Sequence, residues 1–509
     1  MADRSALLDT GVIRLHPSDN VVVAARSLPA GTKIAPEKLT MLDAIPFGHK
    51  IATRAIAAGE PVRKYGQVIG VATQDIAPGT HVHVHNVVTS DLRSKAETRS
   101  VFRASEAPRM FMGYRRDDGR VGTRNYVAVL TSVNCSASVA RFIAAAAEKS
   151  GLLRDYPNID GIVPITHTSG CGMAGSGENY DLLVRTLWGT AANPNFGAVL
   201  LVGLGCEVIQ IARLRKDYGL SEGPRFQAYN IQDAGGTRKA VAEGLQRLKT
   251  MLPEVNRAER SEQPASALVV GLQCGGSDAW SGVTANPALG NASDRLVALG
   301  GTVILSETPE IYGAEHLLYA RAASPDLVET LRGRIKWWEN YTAINNMEMN
   351  NNPTPGNKAG GLTTILEKSL GAVAKGGTSP LMDVFEYAKP VKTHGLVFMD
   401  SPGLDPCSAT GQVASGANLL AFTTGRGSAY GCKPSPSIKL ATNSDIYRRM
   451  ADDMDINCGT IATGEASVAE KGAEILDTML DVASGKKTKS EELGYGDLEF
   501  VPWHIGAVM

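Results

Sequence analysis

The sequence predicts an α/β protein with a small all-β module at its front, and three observations lead there. Short β-rich stretches alternate with glycine turns over residues 1–92. After Gly113, apolar runs of strand length alternate with helical stretches, the pattern of a parallel sheet. The segments that follow those runs are short and rich in glycine, cysteine and acids.

The elements follow in order. Val21–Ala25, Ile51–Ile56 and Val68–Ala72 are β-rich, and three turns between such stretches resemble one another: Pro29-Ala-Gly-Thr-Lys-Ile34, Ala57-Ala-Gly-Glu-Pro-Val62 and Ala77-Pro-Gly-Thr-His-Val82. A small residue, a glycine, a polar pair and a β-branched residue describe a turn feeding a new strand. Residues 93–110 are polar and charged without an apolar period, as expected of a linker. A first α/β lobe is expected over 111–260, with strands at Tyr126–Leu130, Gly161–Ile165 and Ala198–Val202 and an Ala-rich helix at Ser138–Ser150. The charged stretch Pro253–Ser266 divides it from a second lobe, 261–509. There Ala267–Val270, Thr302–Leu305, Gly395–Met399 and Leu419–Phe422 read as strands, and Tyr312–Ser324 and Leu327–Asn340 as helices. Both lobes are expected to be Rossmann-like, with mainly parallel sheets.

Lys and Arg total 51 against 52 Asp and Glu, a net charge of −1 that attracts neither nucleic acid nor anionic membrane. No apolar run reaches the roughly 20 residues of a membrane helix, and Met-Ala-Asp-Arg-Ser opens no signal-peptide core. The expected setting is the cytoplasm. Seven cysteines, an odd number in a long chain, argue against a secreted disulfide framework and leave metal binding, catalysis or packing.

Ligands of open parallel sheets bind outside the carboxyl ends of the strands. Four strands end in a cysteine motif, at Cys135, Cys171, Cys206 and Cys274. If their strands share one sheet or two facing sheets, the four thiols meet in one crevice, where an iron–sulfur cluster or a soft metal would sit. The alternative is packing, since cysteine is small and commonly buried. Later strand ends carry Glu307, Asp400 and Arg426. Arg426, in the Thr423-Thr-Gly-Arg-Gly427 turn, suits a carboxylate, or else braces its own loop. Asn357 and Lys358, in the polar loop Asn351-Asn-Pro-Thr-Pro-Gly-Asn-Lys358, suit an anionic or hydroxylated ligand.

His81, His83 and His85 alternate with Val82 and Val84, which puts three of the nine histidines on one strand face. Imidazoles so placed supply metal ligands or a general base, or simply occupy an exposed face. His49 and Lys50, after Phe47-Gly48, form another acid–base pair on a turn.

These residues carry a resemblance. Gly113-Tyr-Arg-Arg-Asp-Asp-Gly-Arg-Val-Gly-Thr-Arg-Asn-Tyr126, Gly203-Leu-Gly-Cys-Glu207, Gln273-Cys-Gly-Gly-Ser-Asp-Ala-Trp-Ser-Gly-Val-Thr-Ala-Asn-Pro287, Asn352–Gly361 and Thr424-Gly-Arg-Gly427 resemble the altronate/galactarate dehydratase family over nearly the whole chain. The front module resembles its SAF domain, a β-clip fold, through Gly48-His-Lys50 and Tyr65-Gly66. The His81–His85 run and Thr308-Pro-Glu-Ile-Tyr-Gly-Ala-Glu315 look closer to altronate dehydratase, whereas Ser132-Val-Asn-Cys135 and Gln273-Cys274 lean to the galactarate side.

The resemblance implies removal of water from a hexonate or hexarate to give a 2-keto-3-deoxy product, with Fe2+, or else Mn2+, required. For that chemistry we expect His49, Lys50 and His85 to serve proton transfer and Arg124, Asn125, Asn357, Lys358 and Arg426 to hold the substrate. His81, His83 and the four strand-end cysteines would hold metal, with Asp278 and Glu207 as ligands or their partners. A small sugar acid is the expected partner, and a homo-oligomer, most simply a dimer, the expected state. The alternatives are a galactarate dehydratase, an enzyme like sulfolactate sulfo-lyase, and a non-catalytic iron–sulfur redox protein.

Overall fold

The computed structural model describes residues 11–89 and 108–506. The expected linker, 93–110, falls almost wholly outside the described residues, and Met110 already opens a strand, Met110–Arg115.

In the front module, Val12–Ile13, Val21–Ala24, Lys50–Ala52 and His81–Val82 make one sheet and Pro61–Lys64, Gln67–Ala72 and Val87–Val88 another. The three look-alike turns share one geometry. Gly31, Gly59 and Gly79 have φ of 83°, 80° and 81°, the left-handed region that glycine enters without a Cβ penalty. In each, the next N–H closes the turn, Thr32 on Pro29, Glu60 on Ala57 and Thr80 on Ala77. The strand expected over Ile51–Ile56 stops at Ala52, because the Ala52 carbonyl accepts from Gly79 and the chain turns away.

The first lobe is a four-stranded parallel sheet, ordered Gly161–Ile165, Tyr126–Thr131, Phe196–Gly203, Phe226–Asn230. The Ala137–Lys149 and Thr237–Val255 helices cover one face and Glu178–Ala191 the other. The charged stretch after residue 253 ends that second helix and then forms a strand, Arg260–Pro264, antiparallel to Met110–Arg115.

The second lobe holds a seven-stranded parallel sheet, in the order Leu381–Phe385, Gly395–Met399, Thr302–Leu305, Val269–Cys274, Leu419–Thr424, Ser437–Ala441, Ile456–Asn457. Its central strands are buried throughout, as expected where helices cover both faces. Alternate residues point to opposite faces. Val303, Leu305 and Phe398 meet Leu289 and Met479 on one side, while Ile304, Val397 and Phe422 meet Ala409 and Val413 on the other. The first of these clusters continues into the front module through Val62, Ile69 and Val82.

Two helices were expected after Leu305. The second forms as Pro325–Ile344, with Pro325 at a first-turn position where its missing N–H costs nothing. Of the first, Tyr312–Ser324, one turn survives, His316–Tyr319, since Gly313 stands at φ 81° and breaks the regular backbone. No helix among the described residues is long and apolar enough to cross a membrane.

Candidate active site

In the seven-stranded sheet the chain builds one wing outward from Val269–Cys274, then returns to build the other from Leu419–Thr424. The strand order reverses between these neighbours, and their carboxyl ends open the crevice where such sheets bind ligands.

The first group there is buried and ionic. Cys274 ends its strand, and its thiol lies 3.4 Å from Glu310 Oε2. Glu307 stands two residues past Leu305, at a left-handed φ of 73°, a strain that a non-glycine residue keeps only where its surroundings impose it. Ser401 Oγ accepts from its N–H at 3.0 Å. Its carboxylate oxygens find no hydrogen-bond partner among the described residues, and Lys375 Nζ stands 3.6 Å away. Lys368 Nζ donates to Glu310 Oε1 at 2.6 Å and to Asn352 Oδ1 at 2.7 Å.

Burial, then the charge of Glu310, pushes Glu307 well above the carboxylate range. The same two causes take Asp405, at the start of the Asp405–Ala414 helix, up to about 7. Burial lifts the Cys274 thiol to about 12. Burial also pulls on Lys368, but the Glu310 carboxylate outweighs it and the lysine stays above its ordinary value. Ligand atoms of Cys274, Glu307 and Glu310 lie within 4.8 Å of one another. One sulfur and two carboxylates, one of them buried without a donor, fit a divalent transition metal.

The second group is the histidine face of the module. His49 Nδ1 and His81 Nε2 are 2.9 Å apart, and the His49 and His83 rings stack at 4.9 Å. His83 Nδ1 accepts from the Val84 N–H, so its Nε2 carries the proton and donates to the Lys358 carbonyl at 2.8 Å. His49 Nε2 faces the Ala359 carbonyl at 3.4 Å; donating there leaves its Nδ1 to accept from His81. The chain of donors ends at His81 Nδ1. Burial, then the charge of His83, lowers His49 to about 4. Burial, then His49, lowers His81 to about 3. Both are neutral at pH 7.

The third group seats the module. Lys50 Nζ reaches the Gly361 carbonyl at 2.7 Å and Glu367 at 2.9 Å, and Lys64 Nζ reaches Glu367 at 2.8 Å. All three side chains are buried. Phe47 stacks on Trp280 at 5.0 Å beside them. Gly48 and Gly361, at φ 82° and 96°, bring the two backbones together. A Cβ on Gly361 would stand 2.9 Å from the Gly48 carbonyl oxygen.

The loop from Asn351 to Gly361 joins these groups. Asn352 holds Lys368 at one end, and the Lys358 and Ala359 carbonyls face the histidines at the other. Within it, Thr354 and Asn357 cap the short Pro355–Ala359 helix reciprocally. Lys358 Nζ and the exposed Arg426 guanidinium have no partner among the described residues. The Arg426 Cδ would lie 3.3 Å from a Cβ on Gly360.

The expected site residues therefore divide. His49, His81, His83, Lys358 and Arg426 come together at the crevice, with His85 exposed at its rim, its ring 5.4 Å from His81. Lys50 is buried as a docking group. His83 has both ring nitrogens engaged, which leaves it no lone pair for a metal. Asn357 supports the loop instead of facing it outward, since its amide donates to the Ser277 carbonyl at 2.8 Å. Asp278 is saturated by Ser281, Trp280, Thr442 and Asn443.

Arg124 and Asn125 do not reach this crevice. They precede Tyr126, at the amino end of their strand. Arg124 spends its donors on Glu491 and on the Thr123, Val482 and Lys486 carbonyls. Asn125 is held by Asn158, Val255 and Arg116. The four strand-end thiols do not form one set either, because their strands lie in two sheets. Cys274 is buried with Glu307 and Glu310, whereas Cys135, Cys171 and Cys206 are exposed on the first lobe. Glu207 braces that lobe by accepting from Ser132 Oγ at 2.5 Å and from the Leu204 and Gly205 N–H groups.

The sequence reading missed Glu310, Glu367, Lys64, Lys368, Lys375 and Asp405. Glu310 carried a signal, standing in Glu307-Thr-Pro-Glu310 directly after a strand. The lysines and Glu367 stand in no motif and carried none.

Three family models cover the chain: the altronate/galactarate dehydratase SAF domain over residues 10–90, the D-galactarate dehydratase/altronate hydrolase second domain over 113–256, and the D-galactarate/altronate dehydratase C-terminal domain over 265–508. The galactarate dehydratase (L-threo-forming) of Escherichia coli is 40% identical over 95% of this chain and 94% of its own. The altronate dehydratase of the same organism is 36% identical over 96% and 98%. The (2R)-sulfolactate sulfo-lyase subunit beta of Chromohalobacter salexigens is 33% identical over 76% and 96%. With the SAF domain seated on the strand-end crevice of the last domain, the chain belongs to the D-galactarate/altronate dehydratase family.

Proposed function

We propose that this sugar-acid dehydratase acts on a hexonate of the altronate type, in the crevice between the histidine face and the buried acid–lysine group. The observation that carries the reading is the Asn351–Gly361 loop, bonded to Lys368 at one end and facing His83 and His49 at the other.

The C2 proton beside a carboxylate is weakly acidic, so its removal needs a positioned base and stabilisation of the enediolate that develops. His81 Nδ1, the open end of a neutral imidazole pair, takes that proton. Asp405, still partly protonated at neutral pH, gives one to the departing C3 hydroxyl. Arg426 and Lys358 hold the substrate carboxylate. A divalent ion, Fe2+ or Mn2+, on Cys274, Glu307 and Glu310 would supply Lewis-acid stabilisation of the enediolate. The enol left after water departs tautomerises to the 2-keto-3-deoxy acid.

Galactarate is the second reading. It carries a carboxylate at each end, and the crevice has two unpaired cations, Lys358 and Arg426.

Anaerobic purification with iron, followed by a 2-keto-3-deoxy product assay on altronate, galactarate and sulfolactate, tests the proposal. Turnover of altronate is expected. Preference for galactarate installs the second reading, sulfite release from sulfolactate overturns both, and no turnover by the metal-loaded chain ends the dehydratase chemistry.

A further inference from the structure

The first lobe carries a feature that the dehydration chemistry does not use. Cysteine is among the most buried residue types, and Cys274, Cys407 and Cys458 follow that habit, while Cys135, Cys171 and Cys206 are exposed. Their positions are systematic. Cys135 follows the strand Tyr126–Thr131, Cys171 the strand Gly161–Ile165 and Cys206 the strand Phe196–Gly203. These are neighbours in one parallel sheet with Tyr126–Thr131 in the middle, so the three loops leave the same edge side by side.

The loops are also tied to one another. The Asn134 N–H donates to the Ser169 carbonyl at 2.9 Å and the Val208 N–H to the Gly170 carbonyl at 3.0 Å. Gly170, at φ 99°, leaves no room for a side chain, since a Cβ there would stand 2.8 Å from Val133 Cα. One residue beyond Cys206, Glu207 clamps its loop to Ser132, just past the middle strand. Gln232 Nε2 donates to Cys206 Sγ at 3.5 Å, the kind of N–H···S contact that tunes cluster thiolates.

We propose that Cys135, Cys171 and Cys206 hold an iron–sulfur cluster of the [4Fe–4S] type. Three thiols on adjoining strand-end loops, exposed where cysteine is usually buried, offer the soft sulfur donors that an iron–sulfur cluster takes. The remaining described cysteines are buried or half-buried elsewhere, so the fourth iron has no thiolate from this edge and carries an exchangeable ligand.

The test uses the full-length chain, reconstituted anaerobically with ferrous iron and sulfide. About four iron and four sulfide per chain and a broad brown absorption band are expected. Cys135→Ser, Cys171→Ser and Cys206→Ser should each lose the band while circular dichroism stays unchanged, and Cys432→Ser should keep it. Alkylation of the three thiols should be rapid in the cluster-free chain and blocked after reconstitution. Iron bound without sulfide, a band that survives loss of any of the three, or thiols still open to alkylation overturns the assignment. None of these readouts depends on turnover, so the cluster and the dehydration chemistry fail separately.

Discussion

On the first sheet, the loops after Thr131, Ile165 and Gly203 carry three exposed thiols and one carboxylate tied up by its own backbone. On the second, the loops after Cys274, Leu305 and Met399 carry acids that are almost wholly buried, with Lys368 and Lys375 brought to them from the Ile365–Val373 helix and the turn after it. Both edges are carboxyl ends of parallel strands with helices on each face. The difference is cover. The front module and the Asn351–Gly361 loop close over the second edge, and desolvation there lifts Glu307 and Asp405 and lowers His49 and His81. Nothing comparable among the described residues closes the first edge. The same topology thus shifts protonation where water is excluded and leaves thiols open to water where it is not.

Removing the cover should have the largest effect. Glu367→Ala leaves Lys50 and Lys64 as buried ammonium groups without a counter-charge, a change worth about 3–5 kcal/mol. Denaturant unfolding should register that loss, and turnover should fall to background. A stability change under about 1 kcal/mol would show that the triad does not seat the module. Next, Glu307→Gln removes a carboxylate that has no hydrogen-bond donor but keeps its shape, so kcat should drop by about 10²–10⁴-fold while the melting temperature holds or rises. A large loss of stability would make Glu307 a structural group.

Two arginines separate the crevice from the strand bases. Arg426→Ala should cost kcat/KM about 10–100-fold, mainly through KM, as loss of charged hydrogen bonds worth about 1.5–3 kcal/mol predicts. Arg124→Ala should leave KM alone and lower stability, because Glu491 loses its partner. The smallest effect concerns pH. His49 and His81 bind protons near 6.5 when unfolded but only near 4 and 3 when folded. Unfolding therefore takes up protons, so their contribution is complete above about pH 6.5 and declines as pH falls towards 4. Replacing both by Asn should flatten the melting temperature against pH across that window.

Much of the frame was readable from local pattern. The three glycine turns, the apolar strands after Gly113 and the irregular Asn351–Gly361 loop each follow from a few adjacent residues. The histidine face was readable too, because alternation along one strand needs no knowledge of the partner. What stayed hidden depends on distance in the chain. Lys50 and Glu367 are separated by 317 positions, and Glu367 sits in the helix Ile365–Val373, whose residues are all buried. Its sequence shows no polar face that would announce an ion pair. Arg124 misled for the opposite reason. Its motif, Gly122-Thr-Arg-Asn125, looks like a ligand turn, yet it lies at the amino end of its strand, where its donors close onto Glu491 and the 482–486 backbone.

Glu367 and Lys368 are consecutive residues that serve different centres, one the module's lysines and the other Glu310. Successive helix positions diverge by about 100°, so a single peptide unit fixes the angle between the docked histidines and the buried acids. That makes the helix Ile365–Val373 a ruler between two groups contributed by different parts of the chain. A one-residue insertion between Glu367 and Lys368 would leave each centre chemically complete and aim them apart. Swapping front modules between related proteins should therefore preserve activity only when this helix travels with the module's lysines as one inherited unit.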